Sequence, residues 1–436
     1  MKVRQLTEST GVSQPTISRA LTAMGDQIVR IGSGPSIQYA IRDASRGIVA
    51  RGIVDVPVYR VDADGRLRPL GRLIPVRREG YVMRQEDGAT QHFDGWPWWL
   101  YDMRPQGFLG RAYARRYADE LGLPASLSEW DHLHALRALL RHGEDAVGNL
   151  LLGDRAREHF LSQMAPAPIE DADRGNAYAR LADEATRGEL PGSSAGGEQP
   201  KFVTYAMTPA GPRHVLVKFS TRDQNPVSER WRDLLLAEHV AAQTLQAAGR
   251  QAGNTRLLDH GGQRFLESER FDRVGPLGRR ALISLAAMDG EFVGMGTGAW
   301  PDAVLRLANE GHVHPDARAS TAFLYAFGIL IGNTDMHFGN LSFMGDHGRP
   351  YTLAPAYDML PMGFSPRSSG DLPNTLPEPS IGSSVDNQTW ASALEVARDY
   401  LRRLQASGDF SHGFAPCLIA LERHMTVATN RIARLG

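Results

Sequence analysis

The chain has 436 residues, which at about 150 residues per domain points to two or three domains. Its 42% hydrophobic and 22% charged residues exclude a disordered or fibrous protein, and its one cysteine, Cys417, excludes an internal disulfide or a cysteine-based zinc knuckle. Lys plus Arg (48) balance Asp plus Glu (49) for a net charge of −1, so there is no chain-wide electrostatic case for nucleic acid or an acidic membrane.

Residues 3–10 have a short helical pattern, Gly11-Val12-Ser13 make a turn, and 14–24 form a second helix with Ser13 as cap residue and Pro15 in the first turn. Ile17, Ala20, Leu21 and Met24 follow the i, i+3, i+4, i+7 spacing and are predicted to face inward. Gln14, Thr16, Ser18 and Arg19 then face out. Residues 27–31 and 37–42 alternate as two strands around Gly32-Ser33-Gly34-Pro35. Together these elements predict a small winged helix-turn-helix over 1–45. Lys2, Arg4, Arg19, Arg30 and Arg42 outnumber Glu8, Asp26 and Asp43 there, which suits phosphate contacts by a module that lays its second helix in the major groove of duplex DNA. A helical cap packed on the main body is the plainer reading of the same residues.

Strands dominate from 45 to 91: an alternating run over 47–60, a turn at Asp62-Ala63-Asp64-Gly65, then 67–75 and 81–83. Helical patterns follow over 110–121 and 130–141, and 388–435 reads as helices. Two stretches read as loops, 190–199 and 365–387; a loop as long as the second is usually functional or mobile. Residues 1–20 hold no apolar core of signal-peptide length. The longest apolar stretch, 321–332, falls short of the roughly 20 residues of a membrane span. A soluble, cytoplasmic protein with no membrane partner is expected.

Four features carry possible chemistry. Asp335 and Asn340, in Ile331-Gly332-Asn333-Thr334-Asp335-Met336-His337-Phe338-Gly339-Asn340, have the D-x-x-x-x-N spacing of a kinase catalytic loop, where the carboxylate takes a hydroxyl proton and the amide oxygen holds Mg²⁺. Asp358 ends a short strand 23 residues beyond Asp335, the setting of a metal-chelating aspartate. Lys218 lies in the alternating strand 214–219, with Glu238 about twenty residues on in a helix, as kinases pair a strand lysine with a helix glutamate. Before them, Ser193-Ser194-Ala195-Gly196-Gly197-Glu198-Gln199-Pro200-Lys201-Phe202 is a glycine-bearing loop feeding a strand. Taken alone, Asp335 with Asn340, and Asp358, read more readily as polar turns, Lys218 as well as a snorkelling lysine and 193–202 as well as a loose loop; together they stand in kinase order.

These segments, with Glu269-Arg270-Phe271-Asp272-Arg273 and Ala354-Pro355-Ala356-Tyr357-Asp358, resemble the HipA family of bacterial serine/threonine kinase toxins over most of the chain after about residue 45. The fused N-terminal helix-turn-helix resembles the YjjJ (HipH-type) branch, since HipA itself relies on a separate DNA-binding antitoxin. The resemblance implies an α+β, two-lobed kinase fold behind the winged helix-turn-helix, with an N-terminal subdomain over 46–180 and a kinase core over 181–436. It implies ATP and Mg²⁺ as cofactors, with Asp335 as base, Asn340 and Asp358 as metal ligands, and Lys218 on the phosphates. Ser194, Gly196, Gly197, Glu198, Gln199, Pro200 and Lys201 would belong to the phosphate loop. Glu269, Arg270 and Phe271 would read adenine through their backbone, flanked by His337 and Tyr357. Ser194 aligns with an autophosphorylated loop serine that switches the kinase off, although Ser193 beside it leaves the position open. Glu198 departs from the small neutral residue usual there. Implied partners are a protein with a Ser/Thr acceptor, such as a translation factor or aminoacyl-tRNA synthetase, and an antitoxin. A DNA-binding regulator that uses the kinase fold as a nucleotide sensor remains the alternative.

Three weaker signals read as structure. Gly294-Met295-Gly296-Thr297-Gly298 is a loop, His312-Val313-His314 a surface turn, and Trp96, Trp98 and Trp99 a packing cluster.

Overall fold

The computed structural model describes residues 1–34, 37–43, 55–188, 198–346 and 348–435. Ser193, Ser194, Gly196 and Gly197, the turn residue Pro35 and the first part of the strand expected over 47–60 lie outside the described residues.

Helix α1 (Val3–Thr10) ends at Gly11, whose φ of 68° suits glycine, and α2 (Gln14–Met24) starts with Pro15 in its first turn. The Ser13 hydroxyl meets that of Thr16 at 3.0 Å and caps no backbone N–H. Ile17 is buried and Leu21 and Met24 half-buried, but Ala20 is exposed, against expectation. The module is one layer thick and covers only a narrow stripe of α2. Strands β1 (Ile28–Ile31) and β2 (Gln38–Ile41) pair antiparallel.

The next five strands are β3 (Val56–Val61), β4 (Leu67–Val76), β5 (Gly80–Gln85), β6 (Thr90–Phe93) and, after helices α3 (Gly107–Leu121) and α4 (His132–His142), β7 (Leu150–Leu152). They form an antiparallel sheet ordered β6-β5-β4-β3-β7. Alternation splits its faces. Val56, Leu73, Tyr81, Met83 and Phe93 enter the main core. On the opposite face Ile74, Val76 and Val82 are covered by Val29, Ile31 and Ala40 of the hairpin. Helix α5 (Gly153–Ser162) follows, its Ala156 and Phe160 packed with Val61 and Leu151.

Helix α6 (Arg174–Arg187) packs Tyr178, Ala182 and Ala185 on a second sheet. That sheet comprises β8 (Lys201–Thr208), β9 (Gly211–Phe219), β10 (Thr255–His260) and β11 (Gln263–Glu269), ordered β10-β11-β9-β8, with α7 (Pro226–Ala247) between β9 and β10 in sequence. Short strands β12 (Arg273–Val274), β13 (Gly278–Arg279) and β14 (Ala281–Ser284) lead to a helical part: α8 (Leu285–Met288), α9 (Trp300–Asn309), α10 (Ala317–Leu330), α11 (Asn387–Ala406) and α12 (Ala415–Ile432). Strands β15 (Ser342–Gly345) and β16 (Thr352–Leu353) sit between α10 and α11 in sequence; β15 pairs with β14 and β16 with β15. Trp300, Phe323, Phe327, Trp390 and Tyr400 are buried at its centre. The tryptophan cluster is packing, as expected: Trp98 meets Phe292 of the helical part edge-on at 5.2 Å. No helix among the described residues is long and apolar enough to cross a membrane.

Residues 365–386 hold neither helix nor strand, but they are tied down. The buried Arg230 of α7 donates through Nη1 to the Phe364 and Pro373 carbonyls at 3.0 and 2.8 Å, and through Nη2 to Asn374 Oδ1 at 2.9 Å. His424 adds a contact to the Pro377 carbonyl at 3.0 Å. The long loop is therefore a strap across the helices. Replacing Arg230 leaves the buried Phe364 carbonyl and two partly buried acceptors, the Pro373 carbonyl and Asn374 Oδ1, without this donor, and an unsatisfied buried acceptor costs about 1–3 kcal/mol. Arg230→Ala is expected to lose at least about 3 kcal/mol in denaturant unfolding and to expose 365–386 to protease. A loss under about 1 kcal/mol would contradict the strap.

Candidate active site

Two elements from different parts of the molecule meet at Lys218. The lysine stands on β9, opposite Leu266 of β11 and Lys201 of β8. Its Nζ donates to Glu238 Oε1 and Oε2 of α7 at 2.7 and 2.8 Å, and to Asp358 Oδ1 from the loop after β16. Burial opposes charge on Lys218, yet Asp358 and Glu238 hold its ammonium above the usual lysine range. Burial likewise works against ionised Asp358, but Lys218 and Lys201 keep its carboxyl below the usual range. Glu238, deeper, is pushed up by burial in spite of Lys218. Asp358 has φ 53°, a left-handed conformation uncommon for a residue with a side chain, and such outliers gather at functional sites.

Asp335 and Asn340 come from the loop after α10. Gly332 reverses the chain there with φ 75°, and a Cβ would lie 2.6 Å from Leu376. Asn333, buried, holds the loop to Asp358: its Nδ2 donates to the Asp358 carbonyl at 3.1 Å while its Oδ1 accepts the Asp335 N–H at 3.0 Å. The Asn340 Nδ2 donates to the Asp335 carbonyl at 2.7 Å, which leaves its Oδ1 as the group for a cation. Trp300 Nε1 donates to the Met336 carbonyl at 3.1 Å and fixes the middle of the loop. Asp335 itself stays half exposed, with His337 Nε2 at 3.9 Å from Oδ1. Partial burial raises its carboxyl and His337 opposes the rise. A carboxylate that is accessible and raised is suited to take a proton.

The remaining predicted residues divide. Tyr357 is half-buried; its hydroxyl contacts Ser342 Oγ at 2.7 Å and the Gly339 carbonyl at 2.9 Å, so it braces the loop, and its ring lies 5.8 Å from that of Phe271. At 269–271 the Glu269 and Arg270 amides donate within the fold, to the Asn254 and His214 carbonyls at 3.0 and 2.8 Å. The Arg270 guanidinium turns away into a buried network with Asp145 and Asp272, at 3.0 Å each. The Arg270 carbonyl in turn accepts the Arg273 N–H at 3.3 Å, so both amides and this carbonyl are engaged within the fold. Glu198 is exposed and paired with Arg111, which answers the charge of that departure. The Pro200 carbonyl accepts the Phe219 N–H at 3.1 Å, and Gln199 Nε2 is a buried donor with no partner among the described residues. A cleft of about 790 Å³ is lined by Arg104, Phe108, Arg111, Trp130 and Glu198, and by none of Lys218, Asp335, Asn340 and Asp358.

Sequence reasoning missed Asn333, Trp300 and Ser342 as the parts that hold the loop. Asn333 lay inside the motif, but nothing in the pattern said it would bridge two acids.

Lys201 faces the same carboxylate. Burial pushes its ammonium down to about 8, with Asp358 opposing. Between that value and the ordinary lysine value near 10.4, the folded chain holds fewer protons than the unfolded chain, so this group makes stability rise with pH through the interval. Lys201→Met is expected to raise the melting temperature at pH 7 and to narrow its gain over wild type as pH climbs from about 8 to 10.5. Thermal melts across that range check the sign; a gap that widens with pH would contradict it.

Comparison with known proteins bears on the whole arrangement. Residues 53–161 match the family described as YjjJ-like toxin, middle domain, and residues 193–408 match the HipA-like C-terminal domain. The chain is 38% identical over 434 residues to Toxin YjjJ of Escherichia coli (strain K12), covering 99% of this chain and 96% of that protein. The solved complex of the Shewanella oneidensis MR-1 toxin–antitoxin proteins HipA and HipB with operator DNA superposes with TM-score 0.53 at 14% identity, over 87% of this chain and 97% of that one. That likeness is one of fold. Taken with the sequence match along nearly the full length, it makes the chain a member of the HipA family of toxins, in its YjjJ branch.

Proposed function

We propose that this chain is an ATP- and Mg²⁺-dependent serine/threonine protein kinase. The single observation that carries the reading is the buried contact of Lys218 with Glu238 and Asp358, tied through Asn333 to the loop bearing Asp335 and Asn340. The residues fit the group: Asp358 and Asn340 offer two hard oxygens, and Lys218 and Lys201 two ammonium groups, where a metal-bound triphosphate needs both kinds. Bound there, Mg²⁺–ATP supplies the γ-phosphoryl group and the metal's charge stabilisation. Lys218, already charged and held by Glu238, orients the phosphates. Asn340 and Asp358 hold the metal, and the backbone of Glu269, Arg270 and Phe271 reads adenine between His337 and Tyr357. Asp335 accepts the proton of the attacking hydroxyl as its oxygen bonds to phosphorus and ADP leaves.

Other functions follow from the resemblance. Residues 196–201 form the phosphate loop, and phosphate on Ser194, or Ser193, adds about −1.5 to −2 charge beside a site built for ATP and switches it off. The acceptor is a Ser or Thr hydroxyl on a protein, a translation factor or aminoacyl-tRNA synthetase being the implied kind. Gln14, Thr16, Ser18 and Arg19 are exposed on α2 and bind duplex DNA within 1–45, with 46–180 as the subdomain behind it and 181–436 as the kinase core. The HipA neighbour was solved with a separate HipB and operator DNA; here the DNA-binding part is in the same chain, and an antitoxin remains an expected partner in the cytoplasm.

The exposed polar face of α2 also favours a second reading: a DNA-binding regulator whose kinase fold senses nucleotide. Mass spectrometry after incubation with Mg²⁺–ATP separates the two. Wild type is expected to gain phosphate on Ser194 or Ser193, and Asp335→Asn to lose phosphoryl transfer and growth arrest while still binding DNA. Growth arrest that survives Asp335→Asn but is lost in Arg19→Ala would establish the regulator instead.

A further inference from the structure

The outer face of the five-stranded sheet carries an arrangement that neither the kinase site nor the helix pair uses. Pairing across β6, β5, β4 and β3 places Thr90, Arg84, Arg72 and Pro57 in one transverse row on one face. Arg84 and Arg72 are thus directly opposed, with Cβ atoms about 5 Å apart, and like charges so placed repel. The same sheet shows how such a pair is usually relieved: Arg68, opposite Arg60, has Asp62 at 3.8 Å. Among the described residues neither Arg72 nor Arg84 has a carboxylate within ion-pair distance, and neither guanidinium donates a hydrogen bond to any of them. Arg72 is exposed and Arg84 half-buried.

Among the described residues, two elements flank this row. On one side the next row, Ile74 and Val82, lies under the β1–β2 hairpin, and Gly32 in the hairpin's connecting turn donates its N–H to Thr90 Oγ1 at 2.6 Å. On the other side α5 packs over Val61 and Leu151, with Tyr59 against that cluster and the Arg157 guanidinium 5.7 Å over the Tyr59 ring. The nearby acids are partly committed: Asp154 accepts the Tyr59 hydroxyl at 2.5 Å, and Asp87 accepts the Ala89 N–H at 2.9 Å. Glu86 and Glu158 are exposed and unpaired with either arginine.

We propose that Arg72 and Arg84 are a second, sequence-independent contact for duplex DNA, gripping the phosphate backbone of the molecule that α2 reads. The inference rests on the DNA-binding reading above. A polyanion fits this row: it ends at Thr90, which Gly32 of the hairpin contacts, and its unpaired charges are guanidinium groups suited to bidentate phosphate contact. The contact gives affinity without specificity, and it couples DNA to the domain on which the kinase core packs.

Salt-dependent binding of the full chain to a short random-sequence duplex tests this. Each lost phosphate contact reduces the slope of log K against log salt by about 0.9. The double variant Arg72→Ala/Arg84→Ala is expected to lower the slope by about 2 and to weaken binding about tenfold at low salt. The Arg72→Lys/Arg84→Lys variant keeps the slope, since charge alone serves. A double-alanine variant with the wild-type slope, while Arg19→Ala weakens binding, overturns this contact and leaves the helix-turn-helix reading standing. No binding by wild type at low salt overturns both.

Discussion

The structure hinges on one buried ammonium shared between two carboxylates. Lys218 joins Glu238 of α7 to Asp358 of the loop after β16, and so pins the sheet against the helical part at the place where phosphates would enter. Such a group is costly to desolvate, and removing one partner from a buried pair typically costs about 3–5 kcal/mol. Replacement by apolar residues of similar volume would pack as well, so its retention is better explained by chemistry than by stability. Asp358 is held ionised by its lysine neighbours despite its burial, which is the state a metal ligand requires.

The second constraint is the loop from Gly332 to Asn340. Its acid is useful only if fixed relative to Asp358, and one side chain does most of that: Asn333 bonds both segments. Trp300 and Tyr357 brace the loop from either side. Asp335 is left accessible at the end of this support, while Lys218 and Glu238 are buried. This division suits a site in which one face meets a macromolecular hydroxyl and the other holds a nucleotide.

Much of this arrangement was legible in the sequence because the relevant residues carry strong local signals. Alternation around Lys218 gave a strand, the apolar run before Ile331 gave a helix leading into the polar loop, and Gly11 with Pro15 marked the break between α1 and α2. The resemblance then ordered the acids into one site. What stayed hidden depends on long-range contact. The strap at 365–386 looks loose in sequence because its order comes from Arg230, more than a hundred residues away. Asn333 is an ordinary turn residue until its two partners are placed. The exposure of Ala20 reflects how little of α2 its thin module covers, which helical periodicity alone cannot reveal.

Calorimetric titration of ATP into the full chain, with and without Mg²⁺, is the most direct check that these side chains converge on a metal-bound triphosphate. One site is expected, with affinity falling at least about tenfold when Mg²⁺ is withheld, and with that difference abolished in Asp358→Ala. Nucleotide binding that is indifferent both to Mg²⁺ and to Asp358 would contradict the assignment of the site.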